Sequence, residues 1–301
     1  MIISASRRTD IPAFYSEWLM NRVRAGYCTV PNPFNAKQVS YVSLEPKDVD
    51  VIAFWTRNPR PLMRHLAELD ERGYRYYFMI TLMDNPRRID PGCPPVGAAI
   101  EAFRELSGRI GPQKVIWRYD PIFFSKATDW EYHARAYGRI AGELRGHTHR
   151  SIISILTVYR KSSKRLAWLA EEGFGHTECE ESDLSRLMHR IVSAAGANGM
   201  EVFSCAEKTD LRPYAIRPGK CIDDAYILKT FGLDLKAQKD PAQRKECGCV
   251  VGKDIGMYDS CLFDCRYCYA TRSPERARER FQQHDPRSPS LIGRYDTRTF
   301  M

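Results

Sequence analysis

Apolar runs and amphipathic stretches alternate along most of this chain. The apolar runs are rich in β-branched and aromatic residues and predict six strands, at residues 2–6, 49–55, 76–82, 114–119, 151–158 and 200–205. Apolar positions spaced three or four residues apart predict helices between them, at 61–72, 95–110, 129–144, 162–172 and 182–198. An alternating run at 39–44 predicts a further strand or hairpin arm. This alternation is typical of βα units around a parallel sheet.

The strands and the residues that follow them narrow the choice of fold. The run SIISILTV at 151–158 is continuously apolar, as expected for a parallel strand that is buried on both faces. Both a barrel and a doubly wound sheet accommodate such strands. Nearly every predicted strand ends in polar residues, and barrel enzymes place their chemistry in the loops just past the strand ends, so the pattern favours a barrel.

Composition sets broad limits on the protein class. The chain has 301 residues, of which 43% are hydrophobic and 11% aromatic, as expected for a folded globule. Its first residues contain too short an apolar run for a signal peptide, and no later stretch approaches the roughly 20 apolar residues that span a bilayer. We therefore expect a cytoplasmic protein. The formal net charge of +9 permits a nucleic-acid partner, but the basic residues are spread along the chain, so the charge supports that partner only weakly.

Seven of the ten cysteines lie between Cys205 and Cys268. Cytoplasmic cysteines stay mostly reduced, so a cluster of them indicates metal ligands rather than disulfides. Cys261, Cys265 and Cys268 form a CxxxCxxC array with Tyr267 just before the last cysteine. Three thiolates can hold three irons of a [4Fe-4S] cluster and leave the fourth iron open. A zinc site that borrows a fourth ligand and a loop of three thiols are the alternatives, although structural zinc usually takes four protein ligands.

The array resembles the signature of the radical S-adenosylmethionine (SAM) superfamily. Together with SASRRTDIPAF, FWTRNP, WRYDPI and SCAEKTD, it resembles an uncharacterised bacterial family of radical-SAM-like proteins of unknown function. The resemblance implies a [4Fe-4S] cluster on Cys261, Cys265 and Cys268 that cleaves SAM reductively to a 5′-deoxyadenosyl radical. The substrate is unidentified, and a reductant such as a flavodoxin or ferredoxin is the implied partner.

The position of the motif has a consequence for the fold. In most of the superfamily the motif follows the first barrel strand, near the N-terminus, whereas here it lies near the C-terminus. A strand at 250–255 and a helix at 274–283 would make residues 250–284 one βα unit beside the N-terminal strand. We therefore predict an α/β fold, a partial (β/α)6-type parallel barrel that is circularly permuted. One domain would cover residues 1–284, and residues 285–301 would form an extended tail.

The permuted fold assigns candidate cofactor contacts to the loop after the first strand. Ser6 and Asp10 are candidates to hold the amino group of SAM, and Arg7 or Arg8 could pair with its carboxylate. Asp10 could instead cap a helix that begins near Ile11.

Other candidate contacts follow later strands. Arg118 and Asp120 could bind the ribose hydroxyls or the methionine carboxylate, although Asp120 could simply form a turn with Pro121. Glu207, Arg57 and Asn58 are further candidates for substrate or adenine contacts. Tyr267, the aromatic position of the signature, belongs with the cofactor-binding residues.

The remaining cysteines suggest a second metal site and a competing function. Cys205, Cys221, Cys247 and Cys249 are enough to close a zinc site or to ligate a second Fe-S cluster, or some are buried apolar cysteines. Cys28, Cys93 and Cys179 are isolated in sequence, which is typical of structural cysteines. The competing function is a zinc-stapled, basic nucleic-acid-binding protein without catalysis.

Overall fold

The computed structural model describes residues 1–235 and 237–295, and within them the chain forms ten strands and ten α-helices. The strands are β1 (Ile2–Ala5), β2 (Tyr27–Asn32), β3 (Asn35–Ser43), β4 (Val51–Thr56), β5 (Tyr76–Thr81), β6 (Val115–Ile122), β7 (Arg150–Ile155), β8 (Glu201–Cys205), β9 (Arg217–Gly219) and β10 (Lys253–Asp254). The helices are α1 (Ile11–Phe14), α2 (Ser16–Ala25), α3 (Arg60–Met63), α4 (Leu66–Glu71), α5 (Val96–Ile110), α6 (Trp130–Glu143), α7 (Ser163–Glu171), α8 (Glu181–Ala197), α9 (Asp224–Phe231) and α10 (Pro274–Gln282). Among these described residues, no helix is long and apolar enough to cross a membrane.

Eight of the strands form one sheet, in the order β10-β1-β4-β5-β6-β7-β8-β9. β1 pairs in parallel with β10 and β4, and β7 pairs in parallel with β6 and β8. β2 and β3 form a separate antiparallel hairpin. The predicted α/β class with a parallel sheet is therefore confirmed, and the strand order is consistent with an open sheet.

The six predicted strands all overlap observed strands, and the alternating run at 39–44 lies mostly in β3. The single helix predicted at 61–72 is wrong, because the structure forms α3 and α4 instead. His65 lies between the two helices: its φ of −112° leaves the helical range, and its N–H bonds the carbonyl of Leu62, only three residues back. The prediction also missed β2 and β9, which each contain a proline, and the helix α9.

The chain divides into two compact units. The first unit contains Met1–Phe78, Gly252–Asp264 and the chain from Ala270, and the second contains Met79–Val251 and Cys265–Tyr269. In the first unit, β10 pairs with β1 in the register Ile3 to Lys253 and Ser4 to Asp254. This confirms that the segment before the cysteine motif lies beside the N-terminal strand, although its strand is only two residues long.

In the first unit, residues 285–295 pack closely although they form no helix or strand. The carbonyl of Ser288 accepts a hydrogen bond from the indole of the fully buried Trp18, at 3.0 Å. The hydroxyls of Thr29 and Ser290 are hydrogen-bonded to each other, and the side chain of Leu291 is buried. This segment therefore contributes to the core beside α2 and β2. Residues 296–301 of the predicted tail lie outside the described residues.

The core of the second unit centres on aromatic side chains of β6 and α6. The rings of Trp117 and Tyr137 stack with their centroids 4.4 Å apart. His133 is fully buried between the hydroxyl of Tyr119, at 2.8 Å, and the carbonyl of Phe123, at 3.0 Å. Burial lowers the pKa of His133 to about 4, so the imidazole is neutral at ordinary pH. These contacts hold α6 against the strand that carries Arg118 and Asp120.

Candidate metal centre

Asp254 organises the loop after β1 in the first unit. Its carboxylate accepts hydrogen bonds from the hydroxyls of Ser4 and Ser6, both at 2.7 Å. It also accepts from the backbone N–H groups of Arg7, at 2.8 Å, and Gly256, at 3.0 Å. Sequence reasoning missed this residue, and its position in a predicted strand beside β1 was the available signal. Asp254 fixes the backbone on which Ser6 and Arg7 lie.

Ser6 and the neighbouring arginines make internal contacts in this loop. The Ser6 hydroxyl, which donates to Asp254, also accepts the N–H of Arg8, at 2.9 Å. The guanidinium group of Arg7 lies over the ring of Trp55, 5.5 Å from its centroid. A ligand that binds this loop would therefore meet an ordered backbone and two oriented cations.

Asp10 caps α1, as the alternative interpretation of the sequence predicts. One carboxylate oxygen accepts the N–H of Ala13, at 3.0 Å, and the other accepts the N–H of Arg57, at 2.7 Å. Burial raises the pKa of Asp10 to about 7, and the hydrogen bonds from Arg57, Thr56 and Ala13 only partly offset that effect. Both carboxylate oxygens of Asp10, a candidate contact for the amino group of SAM, therefore already accept hydrogen bonds within the protein.

The raised pKa of Asp10 predicts an unusual dependence of stability on pH. Between about pH 4 and 7 the folded protein keeps a proton that the unfolded chain releases, so the free energy of unfolding should fall as pH rises. The free energy of unfolding should fall by up to about 1.4 kcal/mol per pH unit over this range, and the pH dependence due to Asp10 should disappear above pH 7. Urea unfolding of the wild type and of Asp10→Asn at pH 5, 6, 7 and 8 measures it. We expect the difference in free energy of unfolding between the wild type and Asp10→Asn to change with pH. If that free energy instead varies with pH in parallel for the two proteins, Asp10 is ionised in the fold.

The end of the cysteine motif forms a fixed turn in the second unit. The N–H of Cys268 bonds the carbonyl of Cys265, at 3.0 Å. The buried Arg165, on α7, donates to the carbonyl of Cys265, at 2.9 Å, and to that of Cys268. Sequence reasoning placed this helix but missed its arginine, because nothing in the local pattern marks the residue. The turn carrying two of the motif cysteines is thus held by one cation.

Cys261 lies in the first unit, next to a buried tyrosine. The hydroxyl of Tyr15 donates to the carbonyl of Ser260, at 2.6 Å. The pKa of Tyr15 is raised, first by burial and then by the charge of the Cys261 thiolate. Phe263 packs against Phe14 with the rings tilted by 56° and their centroids 4.6 Å apart. Both flanks of Cys261 are therefore anchored to the helical segment after the β1 loop.

A group that could hold a metal ion forms around Cys265 in the second unit. The ligand atoms of Asp90, Cys93 and Cys265 all lie within 4.8 Å of one another, and the two sulfurs are 3.7 Å apart. The same carboxylate accepts the hydroxyl of Tyr267, at 3.2 Å, and the amide of Asn85, at 2.8 Å. The sequence gives no sign of this proximity, because Cys93 and Cys265 are 172 residues apart.

Cys205, Cys221, Cys247 and Cys249 come together in the second unit. The sulfurs of Cys205 and Cys221 are 3.4 Å apart. The sulfur of Cys249 accepts the N–H groups of Cys221, at 3.2 Å, and Ile222, at 3.4 Å. Cys247 and Cys249 interact through their side chains, which raises the pKa of Cys247. The four cysteines therefore form one connected cluster, and no disulfide is present among the ten cysteines, all of which are described.

A hydrogen bond, helped by nearby cations, favours the thiolate form of Cys205 at one end of this cluster. The pKa of Cys205 is lowered to about 6, chiefly by the hydrogen bond from Cys221, with Arg118 and Arg244 also lowering it and burial opposing them. Burial lowers the pKa of Arg118, but the nearby Cys221, Cys205 and Tyr269 more than offset it and raise the pKa overall. Arg118, a candidate contact for SAM, thus lies beside the second cysteine cluster, which consists of Cys205, Cys221, Cys247 and Cys249.

The other predicted contacts of the second unit also have internal partners. Asp120 pairs with Arg118 and accepts the hydroxyl of Ser154. Glu207 accepts the N–H of Ile155, at 2.9 Å, and that of Lys208, at 2.9 Å. Through these hydrogen bonds, Glu207 connects the loop after β8 to the end of β7. Asp120 and Arg118 form an ion pair in which 12% and 14% of the side chains are exposed.

These features define an α/β protein with a parallel sheet and cysteine-rich sites that could bind a metal ion. Residues 2–270 match a family described as a domain of unknown function, DUF1848, and the chain belongs to that family. The predicted membership of an uncharacterised family is thereby confirmed. The comparison with curated proteins gives no match.

Proposed function

We propose that this protein is a radical SAM enzyme with a [4Fe-4S] cluster on Cys261, Cys265 and Cys268. The observation that carries the proposal is the CxxxCxxC array, whose last two cysteines lie in a turn that Arg165 holds by both carbonyls. A motif that merely occupied a surface loop would not need a buried arginine to fix it. The partial, circularly permuted barrel belongs to the same proposal, and the pairing of β10 with β1 supports it.

The donor set fits the proposed group. Three thiols within eight residues match three iron positions, and Tyr267 between them is anchored by its bond to Asp90. When bound, such a cluster keeps one iron open to the amino and carboxylate groups of SAM and supplies the electron for its reductive cleavage. The Arg165 cation beside the motif carbonyls would offset negative charge at this position.

The protein would orient SAM through its strand-end residues. In the first unit, Asp254 holds the Ser6–Arg7 backbone in place, so that the loop does not have to be ordered on binding. In the second unit, Arg118 and Asp120 offer a cation and an acceptor suited to a carboxylate and to ribose hydroxyls. Asp10 and Glu207 would position these segments as a helix cap and a loop latch.

Cleavage of SAM by the reduced protein tests the proposal directly. We expect full-length protein that is purified and reconstituted without oxygen to be brown and to contain about four irons and four sulfides at the motif. With dithionite and SAM it should release 5′-deoxyadenosine, measured by liquid chromatography and mass spectrometry.

The matched control is Cys261→Ser/Cys265→Ser/Cys268→Ser, which should release none under the same conditions. Absence of 5′-deoxyadenosine from fully loaded wild type would refute the proposal. Stoichiometric zinc without iron or sulfide, together with salt-dependent nucleic-acid binding, would support the competing non-catalytic function instead.

A further inference from the structure

The second cysteine cluster draws its ligands from three separate segments of the second unit. Cys205 ends β8, Cys221 follows β9, and Cys247 and Cys249 lie in the chain between α9 and β10. Cys221, Cys247 and Cys249 are buried, and Cys205 is half-buried. Buried thiols from distant segments can be explained as apolar packing, so their arrangement decides between packing and metal binding.

The separation of the Cys205 and Cys221 sulfurs suits two ligands of one metal ion. Two sulfurs bonded at about 2.3 Å to one tetrahedral zinc are about 3.8 Å apart. The sulfurs of Cys205 and Cys221 are 3.4 Å apart, close to that value. Thiolates on different irons of a [4Fe-4S] cluster are farther apart, because each binds its own iron at a separate corner of the cubane and points away from the cluster centre. The short separation therefore favours a single ion.

The hydrogen bonds to the sulfurs point the same way. The Cys249 sulfur accepts two backbone N–H groups, from Cys221 at 3.2 Å and from Ile222 at 3.4 Å. Such bonds stabilise a thiolate and orient it, as the groups around metal ligands do. A tetrathiolate zinc site carries a formal charge of −2, and Arg118 and Arg244 are the cations that act on Cys205. Apolar packing requires neither feature.

We infer that Cys205, Cys221, Cys247 and Cys249 bind one zinc ion as a tetrahedral tetrathiolate, distinct from the motif at Cys261–Cys268. The described chain between α9 and β10 contains no helix and no strand longer than the single bridge between Lys239 and Val250. Backbone bonds such as Val250 N–H to the Ile222 carbonyl, at 3.1 Å, already attach it beside Cys221. The ion would complete that attachment and join this segment to the end of β8.

Metal analysis of the wild type and three variants tests the inference. The full-length wild type, the triple motif variant Cys261→Ser/Cys265→Ser/Cys268→Ser, and Cys221→Ser/Cys249→Ser are produced with both iron and zinc in the medium. Zinc, iron and sulfide are then measured per chain. We expect about one zinc per chain in the wild type and in the motif variant, and at least a tenfold loss in Cys221→Ser/Cys249→Ser. Cys179→Ser, outside both clusters, is the control and should retain the ion.

A spectroscopic probe keeps the test valid if the double variant fails to fold. Wild type and the milder variant Cys205→Ser are stripped of zinc with a chelator and titrated with Co²⁺. Wild type should develop the intense visible bands of tetrahedral cobalt thiolate, and Cys205→Ser should show weaker, shifted bands. Two results would overturn the inference. One is that the motif variant contains iron in place of zinc, with or without sulfide, and the other is that the motif variant contains no metal. The motif variant lacks the proposed SAM cluster, so failure of that function leaves this result unaffected.

Discussion

Replacing Cys265 by serine should abolish loading of the motif cluster and release of 5′-deoxyadenosine, whereas replacing Cys93 by serine should leave both largely intact. The two sulfurs are only 3.7 Å apart, a separation that suits two ligands of one ion and not two irons of one cluster. If Cys265 binds one iron of the cluster, Cys93 lies too close to Cys265 to bind a second iron, and it is only a neighbour of the cluster. Loss of a ligand from a three-thiolate site removes the cluster, while loss of a neighbour alters only its surroundings.

Iron and sulfide content, with 5′-deoxyadenosine release, measures this contrast. Serine keeps the size of cysteine, so both substitutions should preserve the Tyr267 bond to Asp90. Cys265→Ser should fall below a tenth of the wild-type iron at the motif, and Cys93→Ser should retain at least half. If both variants lost iron equally, the metal would belong to the group formed by Asp90, Cys93 and Cys265, and the motif assignment would be wrong.

Arg150→Ala should lower the free energy of unfolding by about 3–5 kcal/mol, because it leaves a buried carboxylate without its cation. Arg150 pairs with Asp223 at 2.8 Å, and the side chains are only 10% and 11% exposed. Its guanidinium group also lies over the ring of Phe203, 4.1 Å from the centroid. Asp223 in turn caps α9 by accepting the N–H of Tyr226, so the damage should extend to the segment that follows Cys221.

Urea unfolding at neutral pH measures this loss, and the chain offers a matched control. Arg217, on β9, pairs with Glu201, on β8, but the side chains are 67% and 62% exposed. Arg217→Ala should therefore change stability little, since solvent screens exposed pairs. A loss for Arg150→Ala no larger than that for Arg217→Ala would show that the buried pair is not needed for folding. Double substitution of Arg150 and Asp223 by alanine should cost less than the sum of the single changes.

Local patterns predicted much of the fold correctly. The continuously apolar run at 151–158 overlaps most of β7, and the helix expected at 95–110 is α5 to within one residue. The same method failed at 61–72, because the turn at His65 does not alter the apolar spacing that predicts a helix. It also missed β9, a three-residue strand that contains a proline and has no periodicity of its own.

The candidate sites were less predictable than the strands. The array at Cys261, Cys265 and Cys268 and the cysteine-rich C-terminal part were readable because ligand spacing within a loop is local. Arg165 and Asp254 were not, because each acts on residues about 100 or 250 positions away in the chain. Asp10 was ambiguous in sequence, since a carboxylate before a helix suits both a cap and a ligand, and its two N–H partners identify the cap.

The sequence by itself determined the α/β alternation, the membership of an uncharacterised family and the thiol spacing of the motif. Burial periodicity and motif spacing are properties of neighbouring residues, so they can be read without a fold. Only the tertiary structure decided which distant groups meet, such as Cys93 with Cys265, and Cys205 with Cys221. Those contacts depend on strand order and on the paths of the loops, which result from packing over the whole unit and leave no local pattern.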